Sequence, residues 1–97
     1  GGQQPILAGA EGKVVHAGPL STYGQVIILD HGDQIRSITL GKYKIHVKKG
    51  DQVSKSQVLG YTEGRLRDGK IYFEIRNQDK IQETYPLLER NWLTANQ

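Results

Sequence analysis

Three histidines are the side chains of this sequence best suited to bind a metal ion, because the chain contains no cysteine. His16, His31 and His46 are widely separated, and none stands two or four residues from another. Two imidazoles need such a spacing to converge on one metal from a single strand or helix. His31 also lies in an Asp-His-Gly sequence that is typical of a turn. The histidines therefore indicate surface and turn positions, not a metal centre.

A second set of chemically capable side chains lies in residues 69–77, Gly-Lys-Ile-Tyr-Phe-Glu-Ile-Arg-Asn. Apolar residues occupy every second position: Ile71, Phe73 and Ile75. This period of two predicts a strand with one face in a core. The opposite face carries the phenol of Tyr72 between Lys70 and Glu74. An ordinary solvated face is one explanation of these three side chains, and an aromatic recognition surface is the other.

The elements around this strand read as further short strands. Runs of β-forming residues recur at roughly ten-residue spacing with Gly- and Pro-containing turns between them. The predicted strands cover residues 5–8, 13–17, 25–30, 34–40, 45–47, 58–61, 69–77 and 80–84. Residues 26–29 are consecutive β-formers, which indicates burial on both faces, and His31-Gly32-Asp33 predicts a tight hairpin. Only residues 86–94 suggest a helix, with Pro86 in its first turn.

This pattern predicts an all-β fold, a compact antiparallel sandwich with a short C-terminal helical turn. With 97 residues, 36% of them hydrophobic, the chain is sufficient for one domain with a modest core. Its net charge of +3 is spread along the chain and does not indicate nucleic acid. No apolar run approaches the ~20 residues of a membrane helix. Because the sequence lacks methionine, we expect a fragment whose targeting segment lies outside it.

One local motif resembles a broader class of β-domains. Residues 47–60 have the form V-x-x-G-D-x-V-x-x-x-Q-x-L-G, which resembles the turn-and-strand unit of biotinyl and lipoyl carrier domains and of related barrel-sandwich hybrids. The resemblance implies a duplicated hybrid motif. A carrier domain also needs its modified lysine in a Met-Lys-Met or Asp-Lys-Ala setting, and neither tripeptide occurs here. The motif therefore indicates the fold class and not a carrier role.

A more extensive resemblance covers nearly the whole chain. The order and spacing of its motifs resemble the lysostaphin/LytM-type zinc endopeptidase domain, and within it the branch typified by the murein hydrolase activator EnvC. These motifs are Glu11-Gly12-Lys13-Val14-Val15, Tyr23-Gly24, Asp30-His31-Gly32, Gly50-Asp51, Tyr72-Phe73-Glu74-Ile75 and Pro86 with Trp92-Leu93. The resemblance implies a compact β-sandwich with a groove over one sheet. We expect residues 1–97 to form a single LytM-like domain, N-terminally truncated relative to the family.

The residues that hold and use zinc in active relatives are replaced in this sequence. The resemblance implies a ligand His at the third position of a His-x-His tripeptide, which here is Lys70-Ile71-Tyr72. Tyr72 therefore replaces the ligand, Lys70 replaces one catalytic His, and Gly41 replaces the other. The remaining His and Asp ligands would lie upstream of Gln3. A zinc hydrolase needs three protein ligands and an open position for water, so we expect no catalytic residue, no metal and no cofactor.

The resemblance implies that this refilled groove binds a protein. We expect Tyr72, Lys70 and Glu74 to line it, with Ser37 and Thr39 facing the same side from the neighbouring strand and Tyr23 at the rim. In the EnvC-like branch this groove binds and activates a cell-wall amidase.

The expected partner is therefore a cell-envelope protein, either a murein hydrolase or an active paralogue of the same fold, or peptidoglycan itself. The expected place is the periplasm or the extracellular cell envelope of a bacterium. The alternative is a zinc metallopeptidase fragment or a domain that binds peptidoglycan directly. Neither a nucleic-acid partner nor a membrane span is expected.

Overall fold

The computed structural model describes residues 3–63, 71–77 and 80–86, with the backbone alone described for residue 23 and residues 80–86. Within these ranges the fold is antiparallel β-structure with one 3-10 turn, η1 (Ser21–Tyr23). The strands are β1 (Pro5–Leu7), β2 (Gly12–Pro19), β3 (Gln25–Gly32), β4 (Ile35–Gly41), β5 (Tyr43–Ile45), β6 (Gln52–Val53), β7 (Val58–Thr62), β8 (Ile71–Asn77) and β9 (Lys80–Pro86). The prediction of an all-β fold is confirmed.

The strands form two sheets, one with the order β1-β7-β5 and one with the order β6-β2-β3-β4-β8-β9. The hairpin between β3 and β4 differs from the prediction. Asp33 and Gln34 form its turn, with φ of 53° and 66°, values that suit a two-residue hairpin of twisted strands. Gly32 lies inside β3, at a shift in the register of β3 against β4. Its φ of 87° serves this bulge and not the turn itself.

The core contains side chains from both sheets. Its buried members are Ile6, Ala8, Val14, Ile27, Leu29, Tyr43, Val53, Leu59 and Ile71. Ile71 was predicted there, whereas Phe73 and Ile75, predicted on the same face, are half-buried. The prediction that Ile28 belongs to the core is wrong. Strand residues alternate between faces, so Ile27 and Leu29 enter this cluster while Val26 and Ile28 lie on the other side of β3. Val26 is nevertheless buried, at 5% exposure, which confirms its predicted burial.

Two predicted element boundaries are also wrong. The short strand expected at residues 45–47 is β5, Tyr43–Ile45, because Tyr43 supplies its core contact. Pro86, expected in the first turn of a helix, is the last residue of β9 and lies opposite Tyr72. A proline without an N–H is tolerated there because β9 is the edge strand of its sheet. The remainder of the predicted helix, residues 87–94, lies outside the described residues.

The Gly-Asp motif that resembles carrier domains serves two turns. Gly50 has a φ of 97°, and the Asp51 carboxylate accepts the N–H of Lys48 at 2.9 Å. The Gln57 side-chain oxygen accepts the N–H of Ser54 at 3.0 Å in the turn that follows β6. Side chains that satisfy local backbone donors stabilise turns. The motif is therefore explained by folding alone.

Tyr43 joins the two sheets. Its hydroxyl, on the three-stranded sheet, donates a 2.7 Å hydrogen bond to the carbonyl of Thr39 on the six-stranded sheet. We expect Tyr43→Phe to lower the free energy of unfolding by about 1–2 kcal/mol, because a buried acceptor loses its donor. Urea denaturation measures this change. Tyr61→Phe is the matched control, since the Tyr61 hydroxyl makes no hydrogen bond within the described residues, and it should be nearly neutral. Equal effects of the two substitutions would contradict the assignment.

The same residue gives a pH dependence. Burial raises the pKa of the Tyr43 phenol well above its usual range. The folded state therefore keeps a proton that the unfolded chain releases near pH 10. This contribution to stability is present below about pH 10 and declines as the pH rises further. The difference between the wild type and Tyr43→Phe should accordingly shrink above that pH.

Candidate functional site

One side of the six-stranded sheet faces away from the core and presents two rows of side chains. Residues directly opposite one another on antiparallel strands share a face. The first row contains Val26, Leu40 and Tyr72, and the second contains Ile28, Ile38 and Glu74, from β3, β4 and β8 respectively. We call these residues the outer face. Tyr72 is 37% exposed and lies next to aliphatic side chains across the sheet.

A charged row borders the outer face. Asp30, Arg36 and Arg76 lie opposite one another on the same three strands. Arg76 also contacts Glu74 through two nitrogens, Nε at 3.2 Å and Nη2 at 3.1 Å. Arg36 approaches Asp30 only to 4.0 Å. The charged row and the isoleucines of the second row line a concavity of about 920 Å³. The site thus combines an aliphatic centre, one aromatic ring and a charged margin.

The structure separates the predicted groove residues. Tyr72 and Glu74 share the outer face as expected. Ser37 and Thr39 lie opposite Ile75 and Phe73, which places them on the core side of the sheet, where they are only 3% and 4% exposed. The expectation that they face the same side as Tyr72 is wrong. The register decides this, because an offset of one residue moves a side chain to the other face.

Ser37 has a structural contact instead. The Nδ1 of His31 lies 2.7 Å from the carbonyl oxygen of Glu11, and its Nε2 lies 2.7 Å from the Ser37 hydroxyl. A carbonyl can only accept, so Nδ1 donates to Glu11, while Nε2 and the Ser37 hydroxyl share the second hydrogen bond. A serine beside an imidazole can be a nucleophile. The buried Ser37 hydroxyl, however, offers no approach for a substrate, and the three groups tie β3 and β4 to the segment before β2.

The remaining predicted groove residues are Lys70 and Tyr23. Lys70 lies outside the described residues. The backbone of Tyr23 belongs to η1, which leads into Gly24 with a φ of 111°. A Cβ at Gly24 would overlap the carbonyl of Gly41. The turn that carries Tyr23 therefore packs closely against the end of β4, at Gly41.

The donors around Tyr72 do not fit zinc. Protein zinc sites use three or four Cys, His or carboxylate groups around one point. Among the residues that the structure describes, no three His, Asp or Glu side chains are grouped so that they could bind one metal ion. Across the sheet, Tyr72 lies directly opposite Leu40 on β4 and Pro86 on β9, and the carboxylate of Glu74 already binds Arg76.

The remaining candidate groups lie elsewhere. His46 is exposed, and its ring contacts Tyr61 edge-on with a centroid distance of 5.2 Å. The lysines of residues 42–49 are exposed around β5, on the other sheet. No helix in the described part of the chain is long and apolar enough to cross a membrane.

Comparison with known proteins identifies relatives of this chain. Residues 1–84 match peptidase family M23. Lipoprotein NlpD of Yersinia enterocolitica is 35% identical over 80 residues, which cover 79% of this chain and 81% of the relative. The NlpD/LppB homolog of Pseudomonas aeruginosa is 34% identical over 89 residues, 90% of this chain and 30% of the relative. The murein hydrolase activator EnvC of Escherichia coli is 33% identical over 88 residues, 88% of this chain and 21% of the relative.

The chain thus spans less than a third of the Pseudomonas and Escherichia proteins. These relatives confirm the resemblance that the sequence motifs indicate. Solved structures agree on the fold. A chain of the SpoIIQ-SpoIIIAH pore-forming complex matches with a TM-score of 0.74 at 26% identity, covering 92% of this chain and 57% of that one. A chain of a crystal structure of SpoIIIAH and SpoIIQ matches with a TM-score of 0.73, also at 26% identity, covering 84% and 59%.

Proposed function

The chain belongs to peptidase family M23, and from this membership we propose that it is a non-catalytic LytM-type domain that binds and regulates a murein hydrolase, such as an amidase. The observation that carries the proposal is the position of Tyr72. This residue is 37% exposed on a sheet face with Leu40 directly opposite, and by the motif resemblance it stands where active relatives have a zinc-binding histidine. On this proposal, a surface suited to protein contact takes the place of the metal site.

The chemistry of the replaced positions argues against peptide hydrolysis. The sequence places a lysine at residue 70 and a glycine at residue 41, where active relatives use histidines. Neither side chain can supply the imidazole that accepts or donates a proton during hydrolysis. With Tyr72 at the ligand position, no zinc-bound water would be generated there. Regulation of another enzyme is the function that such a domain can retain.

The outer face has the composition of a protein interface. Protein interfaces combine an apolar centre with a polar rim and are enriched in Tyr and Arg. Here Tyr72 lies opposite Leu40, the aliphatic side chains Ile28 and Ile38 occupy the next row, and the charged row forms one margin. Tyr72 sits on a strand whose next residue, Phe73, packs on the opposite side. A ring held in this way loses little entropy on binding.

The names of the relatives support the choice of partner and place. EnvC is named as a murein hydrolase activator, and two other relatives are named as NlpD lipoproteins. From these names we infer a murein hydrolase as the partner of this chain. We infer its location to be the periplasm or the extracellular cell envelope of a bacterium.

The test measures amidase activity and metal content together. Murein amidases of the source organism are incubated with dye-labelled sacculi, with and without the 97-residue chain. We expect the chain to bind an amidase, to increase dye release and to release no dye alone, while holding no stoichiometric zinc. One zinc per chain after dialysis, with cleavage of a glycine-rich or stem peptide, would overturn the proposal in favour of a metallopeptidase. Binding to sacculi with no effect on any amidase would favour a peptidoglycan-binding domain.

A further inference from the structure

Two arginines stand side by side on the charged row. Arg36 on β4 lies directly opposite Arg76 on β8. Like charges at directly opposed positions destabilise a sheet. Three carboxylates lie near them: Asp30 and Glu74 on the neighbouring positions and Asp33 in the exposed hairpin turn. The charge of each arginine could in principle be offset by one of these acids.

The carboxylates are unequally available. Glu74 receives both Nε and Nη2 of Arg76. Asp30 uses Oδ1 to accept the N–H of Gly32 at 2.9 Å, and its Oδ2 stays 4.0 Å from Arg36. That separation is too long for a hydrogen bond. Arg76 is therefore held in place by its acid, whereas Arg36 is not.

Arg36 keeps its hydrogen-bonding capacity for another molecule. Its side chain is 53% exposed, and its guanidinium makes no hydrogen bond within the described part of the chain. A guanidinium has five N–H donors in a planar fork that matches a carboxylate. Charge-assisted bonds of this kind are short and directional.

The surroundings indicate the kind of molecule that carries the anion. Arg36 and Arg76 line the same concavity as the aliphatic side chains Ile28 and Ile38. From there the aliphatic surface continues through Leu40 to Tyr72. A polypeptide segment with an acidic residue beside apolar residues matches both the arginines and the aliphatic surface. A free anion or a sugar does not match both.

We propose that Arg36 and Arg76 form a recognition site for an acidic side chain of the protein partner, whose apolar neighbours pack against Ile28 and Ile38. The inference rests on the proposed function, because it gives the chemistry of the partner at the same outer face. Arg36 is the residue that contacts the carboxylate, and Arg76 is fixed by Glu74 beside it.

The first test uses small peptides and needs no amidase. Acetyl-Leu-Glu-Leu-amide is titrated into the labelled chain while the Nε–H resonances of Arg36 and Arg76 are followed by NMR. We expect both resonances to shift saturably, and acetyl-Leu-Gln-Leu-amide to leave them unchanged. Inorganic phosphate at the same concentration should produce smaller shifts. Equal shifts with phosphate, or larger shifts with a murein stem peptide, would overturn the acidic-segment assignment.

Variants separate this site from general charge effects. R36Q should reduce binding of an amidase at least about tenfold, the loss expected for a charge-assisted hydrogen bond. R36K, which keeps the charge and loses the fork, should fall between R36Q and the wild type. K44Q is the matched control, because Lys44 is exposed on β5 of the other sheet, and should change binding less than about twofold.

The two proposals fail differently. If Tyr72→Ala abolishes amidase binding and R36Q leaves it unchanged, the carboxylate site is wrong and the proposed function stands. If no amidase binds the chain, the proposed function is wrong, and the peptide titration still decides whether the arginine site exists.

Discussion

Leu59→Ala is expected to lower the free energy of unfolding by about 2–5 kcal/mol. Leu59 is 1% exposed and belongs to the cluster between the two sheets. Truncation removes its transfer free energy and leaves a cavity. The cavity cannot close easily, because β7 is the middle strand of its sheet, bonded to β1 and β5. The total free energy of unfolding of such a domain is about 5–15 kcal/mol, so this loss is a large share of it.

Urea denaturation checks this prediction, with the slope of the transition used to confirm that the unfolded state is comparable. Leu7→Ala is the matched control. Leu7 is 39% exposed and lies opposite Val58 on the adjacent strand, so the same truncation there should cost much less. Similar losses in the two variants would contradict the position of Leu59 in the core. Phe73→Ala should cost less than Leu59→Ala, because Phe73 is only half-buried.

Local sequence patterns predicted most of the fold because each strand carries its own signal. Alternation placed Ile71 in the core, and turn residues separated the strands. The hairpin between β3 and β4 was misplaced for a physical reason. Gly32 is the residue best suited to positive φ, yet the structure uses it in a bulge and places Asp33 and Gln34 in the turn. Which residue bends a strand depends on the register with its neighbour, and a single strand does not encode that register.

The site was predicted in part for the same reason. Tyr72 and Glu74 are on one strand, so alternation alone puts them on one face. To predict which residues of β4 share that face, one needs the register between β4 and β8, and these two strands are distant in sequence. The sequence separated Arg36, Ile38 and Leu40 from Ser37 and Thr39 by alternation, but it could not say which set accompanies Tyr72. The structure assigns the first set. Arg36 and Arg76 were therefore missed as a pair.

Tyr72→Ala is expected to weaken binding of the murein hydrolase by about 2 kcal/mol or more, the range of an interface hot spot, with a small effect on folding. The ring is 37% exposed, so the described residues leave part of it for a partner. It stands directly opposite the aliphatic residue Leu40, on the same strand and the same face as Glu74. Covering such a ring removes a large apolar area from water while its hydroxyl can bond to the partner.

Calorimetric titration and urea denaturation of the same variants separate binding from folding. Tyr72→Phe keeps the ring and isolates the contribution of the hydroxyl, and Tyr61→Ala truncates a half-buried tyrosine on the other sheet as a control. Tyr61→Ala should leave affinity unchanged. The competing explanation is that Tyr72 fills the former metal position as a structural plug. In that case Tyr72→Ala would unfold at much lower urea yet bind normally when folded, and the outer face would lose its assigned role.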